Sequence, residues 1–204
     1  MNELESALRR AAADLPAEPP DAAAQELADR AAAEDLLDVA YATTDSPLGP
    51  LIVAATPRGL VRVAYADSTS RERVLEMLAA RVSPRVLEAP ARLDEPRREL
   101  DQYFEGRRTK FELPIDWSHL RGFTQKVLRE TARIDFGELR TYADVAAGAG
   151  SPRAVRAAGN ALGANPMPIV VPCHRVVRTG GGIGGYTGGL ERKEFLLRLE
   201  GTLR

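Results

Sequence analysis

The chain has little sulfur and little imidazole: one cysteine, Cys173, and two histidines in 204 residues. One cysteine excludes an internal disulfide, and with so few histidines no zinc site of Cys and His ligands is expected. No apolar run approaches the roughly 18 residues that a membrane helix needs, so a membrane partner is not expected. The N-terminus lacks a basic segment followed by an apolar one, which argues against secretion. A lone thiol suits a reducing compartment, and the expected location is cytoplasmic. What is there, 44% hydrophobic and 28% charged residues, is ordinary for a globular protein with one large domain or two small ones.

The net charge of −1 conceals a gradient. Residues 1–38 carry three Lys/Arg against ten Asp/Glu, residues 39–120 twelve of each, and residues 121–204 thirteen against seven. A basic C-terminal part is what a phosphate-binding surface needs, and it is equally an unevenly charged solvated surface. Charge alone leaves both open.

The pattern along the chain predicts an α+β fold in three parts. Residues 1–38 form an acidic, Ala-rich extension whose short helical pieces are interrupted at Pro16, Pro19 and Pro20. Residues 39–118 form a small N-terminal α/β lobe with an antiparallel sheet. Its strands are Val39–Thr44, Leu51–Ala55 and Leu60–Tyr65, separated by turn signals at 46–50 and 57–59. A helix over Ser70–Arg81 capped by Ser70, a helix over Pro96–Glu105 and a last strand over Phe111–Ile115 complete it.

Residues 119–204 form a mainly helical lobe. Phe123–Ile134 reads as a helix with Thr124 or Ser118 near its start, and Thr141 caps a short helix running to Ala147. A third helix starts at Ser151 as cap with Pro152 at its first position and runs to about Leu162. The last two, joined through Gly148-Ala149-Gly150, make a helix-turn-helix candidate; spacing alone fits an ordinary helical hairpin at least as well. A glycine-dense loop, Gly180 to Gly189, precedes a final amphipathic helix over Leu190–Leu199.

Three features could carry chemistry. Cys173 is a strong nucleophile only as thiolate, so a neighbouring positive or hydrogen-bonding group must raise that fraction. His174 and Arg175 follow it directly; in an extended segment neighbours point to opposite faces, whereas a turn or a bridging water would link Cys173 and His174. A buried structural cysteine is the commoner fate of such a residue, and the residues alone leave both readings open. The glycine loop lets backbone approach a ligand closely and matches neither a P-loop nor a dinucleotide fingerprint; a flexible linker is the plainer reading, against which Tyr186 and the helix straight after it argue. Arg153 and Arg156, three residues apart, share a face of the third helix, which by itself reads as solvated surface.

Taken together these pieces resemble the O6-alkylguanine-DNA alkyltransferase family over about Tyr41 to Gly201, most strongly from Phe123 onward. The carrying motifs are Asn165-Pro-Met-Pro-Ile-Val-Val-Pro172-Cys173-His174-Arg175-Val176-Val177, then Gly185-Tyr186-Thr187-Gly188-Gly189-Leu190 with Lys193, then Leu196-Leu197-Arg198-Leu199-Glu200-Gly201. Thr141-Tyr142 and Pro152-Arg153-Ala154-Val155-Arg156-Ala157-Ala158-Gly159 fall where that family has its helix-turn-helix.

The resemblance implies stoichiometric, cofactor-free transfer of an alkyl group from O6-alkylguanine in double-stranded DNA to Cys173, each molecule acting once without an obligatory protein partner; the sequence says nothing of oligomeric state, and monomeric action is the simpler expectation. It further implies that His174 acts as base through a water, oriented by Glu200, and that Asn165 organises the cysteine turn. Tyr142 would donate a hydrogen bond or a proton to guanine N3. Arg156 would fill the gap left by a flipped nucleotide, with Ser151, Arg153 and Ala157 beside it on the DNA surface. Tyr186, Thr187, Gly188, Val176 and Pro168 would line the alkyl pocket. Gly163 stands where some relatives carry a basic side chain, implying a weaker hold on DNA. An alkyltransferase-like binding module would lack Cys173. A cysteine hydrolase would need a separate histidine, and only His119 remains. A transcription regulator would leave the cysteine segment unexplained.

Overall fold

The computed structural model describes residues 37–203 together with Arg30. The expected structure of the acidic extension therefore lies outside the described residues, apart from Arg30, Leu37 and Asp38.

Strands β1 (Val39–Thr44), β2 (Leu51–Thr56) and β3 (Gly59–Tyr65) form the antiparallel meander that their β-branched runs and turn residues predict. They are buried almost without interruption, because the sheet is covered on both sides. On one face Val39, Tyr41, Ile52, Ala54 and Val61 pack with Val74 and Leu78 of helix α1 (Arg71–Arg81). Ser70 caps α1, its hydroxyl accepting from the Arg73 N–H at 3.3 Å. On the other face Leu51, Val53, Leu60 and Val63 join Leu100 and Tyr103 of helix α2 (Asp94–Phe104), and the same core runs on into the helical lobe through Val127, Leu128, Met167 and Leu196.

Two readings of this lobe need correction. A fourth strand, β4 (Val86–Glu88), lies parallel to β1 and makes the order β3-β2-β1-β4. Three residues are too few for an alternation to show, and the α1 crossover supplies the parallel return. Phe111–Ile115 is not a strand: only Ile115 bridges, to Leu60. Pro114 interrupts it by lacking an N–H, yet its carbonyl accepts from the Leu60 N–H at 2.8 Å.

The helical lobe comprises α3 (Gly122–Thr131), β5 (Arg140–Thr141), α4 (Tyr142–Gly148), α5 (Val155–Gly163), a 3-10 turn (Cys173–Arg175), β6 (Val176–Val177) and α6 (Leu190–Leu199). β5 pairs parallel with β6, which ties the start of α4 to the cysteine turn. Thr141 caps α4 in a reciprocal capping box: its Oγ1 accepts from Asp144 N–H, and Asp144 Oδ2 accepts from Thr141 N–H. α3 begins after Arg121 with no side-chain cap, so neither Ser118 nor Thr124 serves there. α5 begins three residues later than expected. Ser151–Ala154 is instead a turn closed by Ala154 N–H on the Ser151 carbonyl at 2.9 Å, with Pro152 at the second turn position that it favours as strongly as a helix start. Arg153 therefore lies on the turn before α5, not one helical face from Arg156.

Gly59 closes the β2–β3 turn at φ 134°, and a Cβ there would stand 2.3 Å from the Pro114 carbonyl oxygen. Gly59→Ala is expected to destabilise the fold by about 3 kcal/mol in urea unfolding, through backbone strain and displacement of the 114–116 segment. A loss below about 1 kcal/mol would show that this close approach does not constrain the lobe.

Candidate active site

Between α5 and the 3-10 turn the chain folds tightly around Asn165. Its Nδ2 donates to the Val171 carbonyl at 2.8 Å and to Cys173 Sγ at 3.1 Å, while its Oδ1 accepts from the Met167 N–H at 3.0 Å. An amide carries two N–H donors, so both bonds form together. Ile169 sits at φ 75°, an outlier for a β-branched residue. It is held there by complete burial and by the Val171 N–H donating to the Met167 carbonyl at 2.8 Å. At Pro172, φ −80° and ψ 62° make an inverse γ-turn, closed by Cys173 N–H on the Val171 carbonyl. Cys173-His174-Arg175 then forms a 3-10 turn, the second of the two arrangements open to adjacent residues.

Cys173 is buried, and burial pushes its thiol up to about 11, although the Asn165 hydrogen bond and the Lys193 charge pull the other way. In this state desolvation outweighs the neighbours, and the sulfur holds its proton. Lys193 is itself buried. Its Nζ donates to the Val176 carbonyl at 2.6 Å and the Gly185 carbonyl at 3.3 Å, and burial lowers it to about 8.

Glu200, at the C-terminal cap of α6, is the hub of a buried hydrogen-bond network. Its carboxylate accepts from Tyr103 Oη at 2.6 Å, His174 Nε2 at 2.9 Å, and Arg175 Nε and Nη2 at 2.9 and 2.8 Å. Arg175 Nη1 continues to the Ile134 carbonyl at 2.5 Å. Burial alone would raise this carboxyl, but the hydrogen bonds from His174 and Arg175 prevail and hold it down to about 2. An anion accepts only, so His174 Nε2 must carry the proton. That leaves Nδ1 with its lone pair, and no described group bonds to it. Burial holds the imidazole below its ordinary range, more strongly than Glu200 raises it, so the ring is neutral near pH 7.

Cys173 lines a cavity of about 380 Å³ together with Tyr142, Gly159, Leu162, Gly163, Gly185, Tyr186 and Thr187. That volume lies in the range of small-ligand sites. Tyr142, the first residue of α4, is half-buried, and burial raises its phenol and keeps it a donor. Thr187 Oγ1 donates to the Gly163 carbonyl at 2.8 Å, pinning the glycine loop to the end of α5. α5 itself is two-sided: Gly159, Leu162 and Gly163 reach the cavity, while Arg156, Ala157 and Asn160 are exposed.

The structure brings Cys173, His174, Glu200, Asn165, Tyr142, Tyr186 and Thr187 together. Three expected pocket residues do not line the cavity. Val176 and Pro168 are buried and are not among its lining residues, and Gly188 sits between the rings of Tyr65 and Tyr186. Arg156 and Ala157 face solvent on α5, and Ser151 and Arg153 precede it. Sequence reasoning missed Tyr103 and Tyr65 as partners of the site. Each reads in one dimension as a core aromatic, and nothing in the spacing names a partner about a hundred residues away.

The chain matches two family models: the 6-O-methylguanine DNA methyltransferase ribonuclease-like domain over residues 39–117 and the DNA binding domain of the same name over residues 122–202. It is 38% identical to the constitutive methylated-DNA--protein-cysteine methyltransferase of Bacillus subtilis over 163 residues, 78% of this chain and 94% of that protein. It is also 38% identical to the human protein of that name over 166 residues, 78% of this chain and 79% of the other. Among solved structures, Mycobacterium tuberculosis O6-methylguanine methyltransferase matches with TM-score 0.68 and 36% identity over 81% of this chain and 94% of the other. The M. tuberculosis protein in complex with DNA matches with TM-score 0.67 and 37% identity, over 79% and 92%. With the cysteine, imidazole and carboxylate gathered beside one cavity, these matches make the chain a member of the 6-O-methylguanine DNA methyltransferase family.

Proposed function

We propose that this protein repairs double-stranded DNA by carrying the alkyl group of O6-alkylguanine onto its own Cys173. The observation that carries the reading is the sulfur's position: it lines a base-sized cavity, and the residue that follows it carries an imidazole whose Nδ1 is free to accept a proton. The M. tuberculosis relative solved with DNA supports the choice of substrate.

The target carbon lies inside the base stack, so the nucleotide must turn out of the duplex at a cost of a few kcal/mol. Arg156, exposed on α5, enters the space it leaves, while Ser151, Arg153 and Ala157 meet the adjoining backbone across the minor groove, where contacts carry little sequence information. In the cavity the sulfur–carbon bond forms as the O6–carbon bond breaks. The thiol proton passes through a water to His174 Nδ1, and Glu200 stabilises the imidazolium. Tyr142 gives its proton to guanine N3, so the base leaves neutral, and the phenol recovers a proton from the imidazolium through solvent. The thioether has no easy return path, so each molecule acts once and needs no cofactor.

The same reading divides the chain into an acidic extension over residues 1–38, an α/β lobe over 39–118 and an active-site lobe over 119–204. It has the protein act as a cytoplasmic monomer. No helix among the described residues is long and apolar enough to cross a membrane.

Incubation with an oligonucleotide duplex containing O6-methylguanine should add one methyl group to the intact mass, on the peptide containing Cys173. An unchanged mass after complete annealing would refute the transfer. Without DNA, carbamidomethylation of Cys173 by iodoacetamide should still accelerate with pH at pH 9.5, because burial holds the thiol near 11. A rate that levels off by about pH 8 would mean that the sulfur is already ionised there.

A further inference from the structure

Tyr65 ends β3, is only 5% exposed, and faces the active-site loop from the N-terminal lobe. Its hydroxyl and that of Tyr186 share a hydrogen bond of 2.8 Å, and the rings meet edge to face at 6.4 Å between centroids. Tyr186 in turn lines the cavity that holds Cys173 and meets the His174 ring edge-on at 6.4 Å.

The ring of Tyr65 is fixed from its other side. The guanidinium of Arg192 in α6 lies 4.2 Å over it. That guanidinium is itself tied down: Nε donates to the Leu48 carbonyl at 3.1 Å, Nη1 to Ser68 Oγ at 2.8 Å and the Gly188 carbonyl at 2.9 Å, and Nη2 pairs with Asp67. Leu48, Asp67 and Ser68 belong to the sheet-bearing lobe, whereas Gly188 belongs to the loop. Gly188 fits because it lacks a side chain, since a Cβ there would stand 2.5 Å from Tyr65 Cε2 and 2.9 Å from Tyr186 Cε1. The loop wall of the cavity is thus fitted against a tyrosine supplied by the other lobe.

We propose that Tyr65 is a positioning residue for alkyl transfer, acting through the Tyr186 hydroxyl to hold the loop wall against the acceptor sulfur and so to set the preference for a small alkyl group. The proposal rests on the alkyl-transfer reading above. A phenol in a largely apolar setting needs a partner for its hydroxyl, and an orphaned one moves toward another. Removing the Tyr65 hydroxyl releases Tyr186 and widens the wall. A methyl group, which depends on close placement, then loses more than a large group that fills the pocket itself.

The test is single-turnover transfer from O6-methylguanine in duplex DNA and from the free base O6-benzylguanine, for the wild-type protein, Tyr65→Phe, and Tyr65→Phe combined with Tyr186→Phe. Wild-type transfer in the same assay separates failure of this proposal from failure of the underlying reading. For Tyr65→Phe, methyl transfer should fall about tenfold, the scale of one lost hydrogen bond with its partner orphaned, and benzyl transfer about twofold or less. Duplex affinity should stay unchanged. The double variant, in which no hydroxyl is orphaned, should lose no more methyl transfer than Tyr65→Phe alone. Equal losses for the two substrates, unchanged rates, or a double variant that loses more methyl transfer than Tyr65→Phe alone would each overturn the proposal.

Discussion

One buried carboxylate organises this molecule. Glu200 accepts four hydrogen bonds from three side chains, and those side chains come from distant parts of the chain: Tyr103 from α2, His174 and Arg175 from the cysteine turn. Arg175 extends the network to the carbonyl of Ile134, just beyond α3. An anion and a guanidinium out of water are costly, and only satisfaction of nearly all their hydrogen-bonding capacity makes them tolerable. The same anion thus joins the two lobes and fixes which imidazole nitrogen is left to act as base. Structural and chemical roles share one group, so neither can be altered alone.

Around that hub the sulfur is placed by backbone constraint. Asn165 binds both ends of its turn, Ile169 holds a strained conformation inside the core, and the γ-turn at Pro172 delivers Cys173 to the cavity. The resulting burial keeps the thiol protonated, which makes it a poor target for passing electrophiles. Ionisation therefore belongs to the reaction itself, when a base fills the cavity and the proton has an acceptor. Preorganisation of this kind favours a reaction that each molecule performs once.

Much of the frame was legible from the residues. β-Branched runs and turn pairs marked β1 to β3, Ser70 and Thr141 marked helix starts, and the apolar spacing marked α6. Where reading failed, two local rules competed or the signal was too short. Pro152 suits a turn as well as a helix start, and the turn prevailed. β4 spans three residues, and Pro114 broke a run that otherwise read as a strand. Adjacent residues 173 and 174 left an extended segment and a turn both open, because nothing in their identities reveals a 3-10 turn. Glu200 entered only through family resemblance, and Tyr65 and Tyr103 not at all. Partnerships across 97 or 121 positions arise from tertiary packing, which no local pattern encodes.

The central claim is that burial keeps His174 neutral while ionised Glu200 holds its proton on Nε2, leaving Nδ1 as the acceptor. Nitrogen-15 NMR of the imidazole in the unreacted protein at pH 7 reads this directly. The account requires a neutral ring with a protonated Nε2 and an unprotonated Nδ1. An imidazolium, or a proton on Nδ1 in its place, would contradict it.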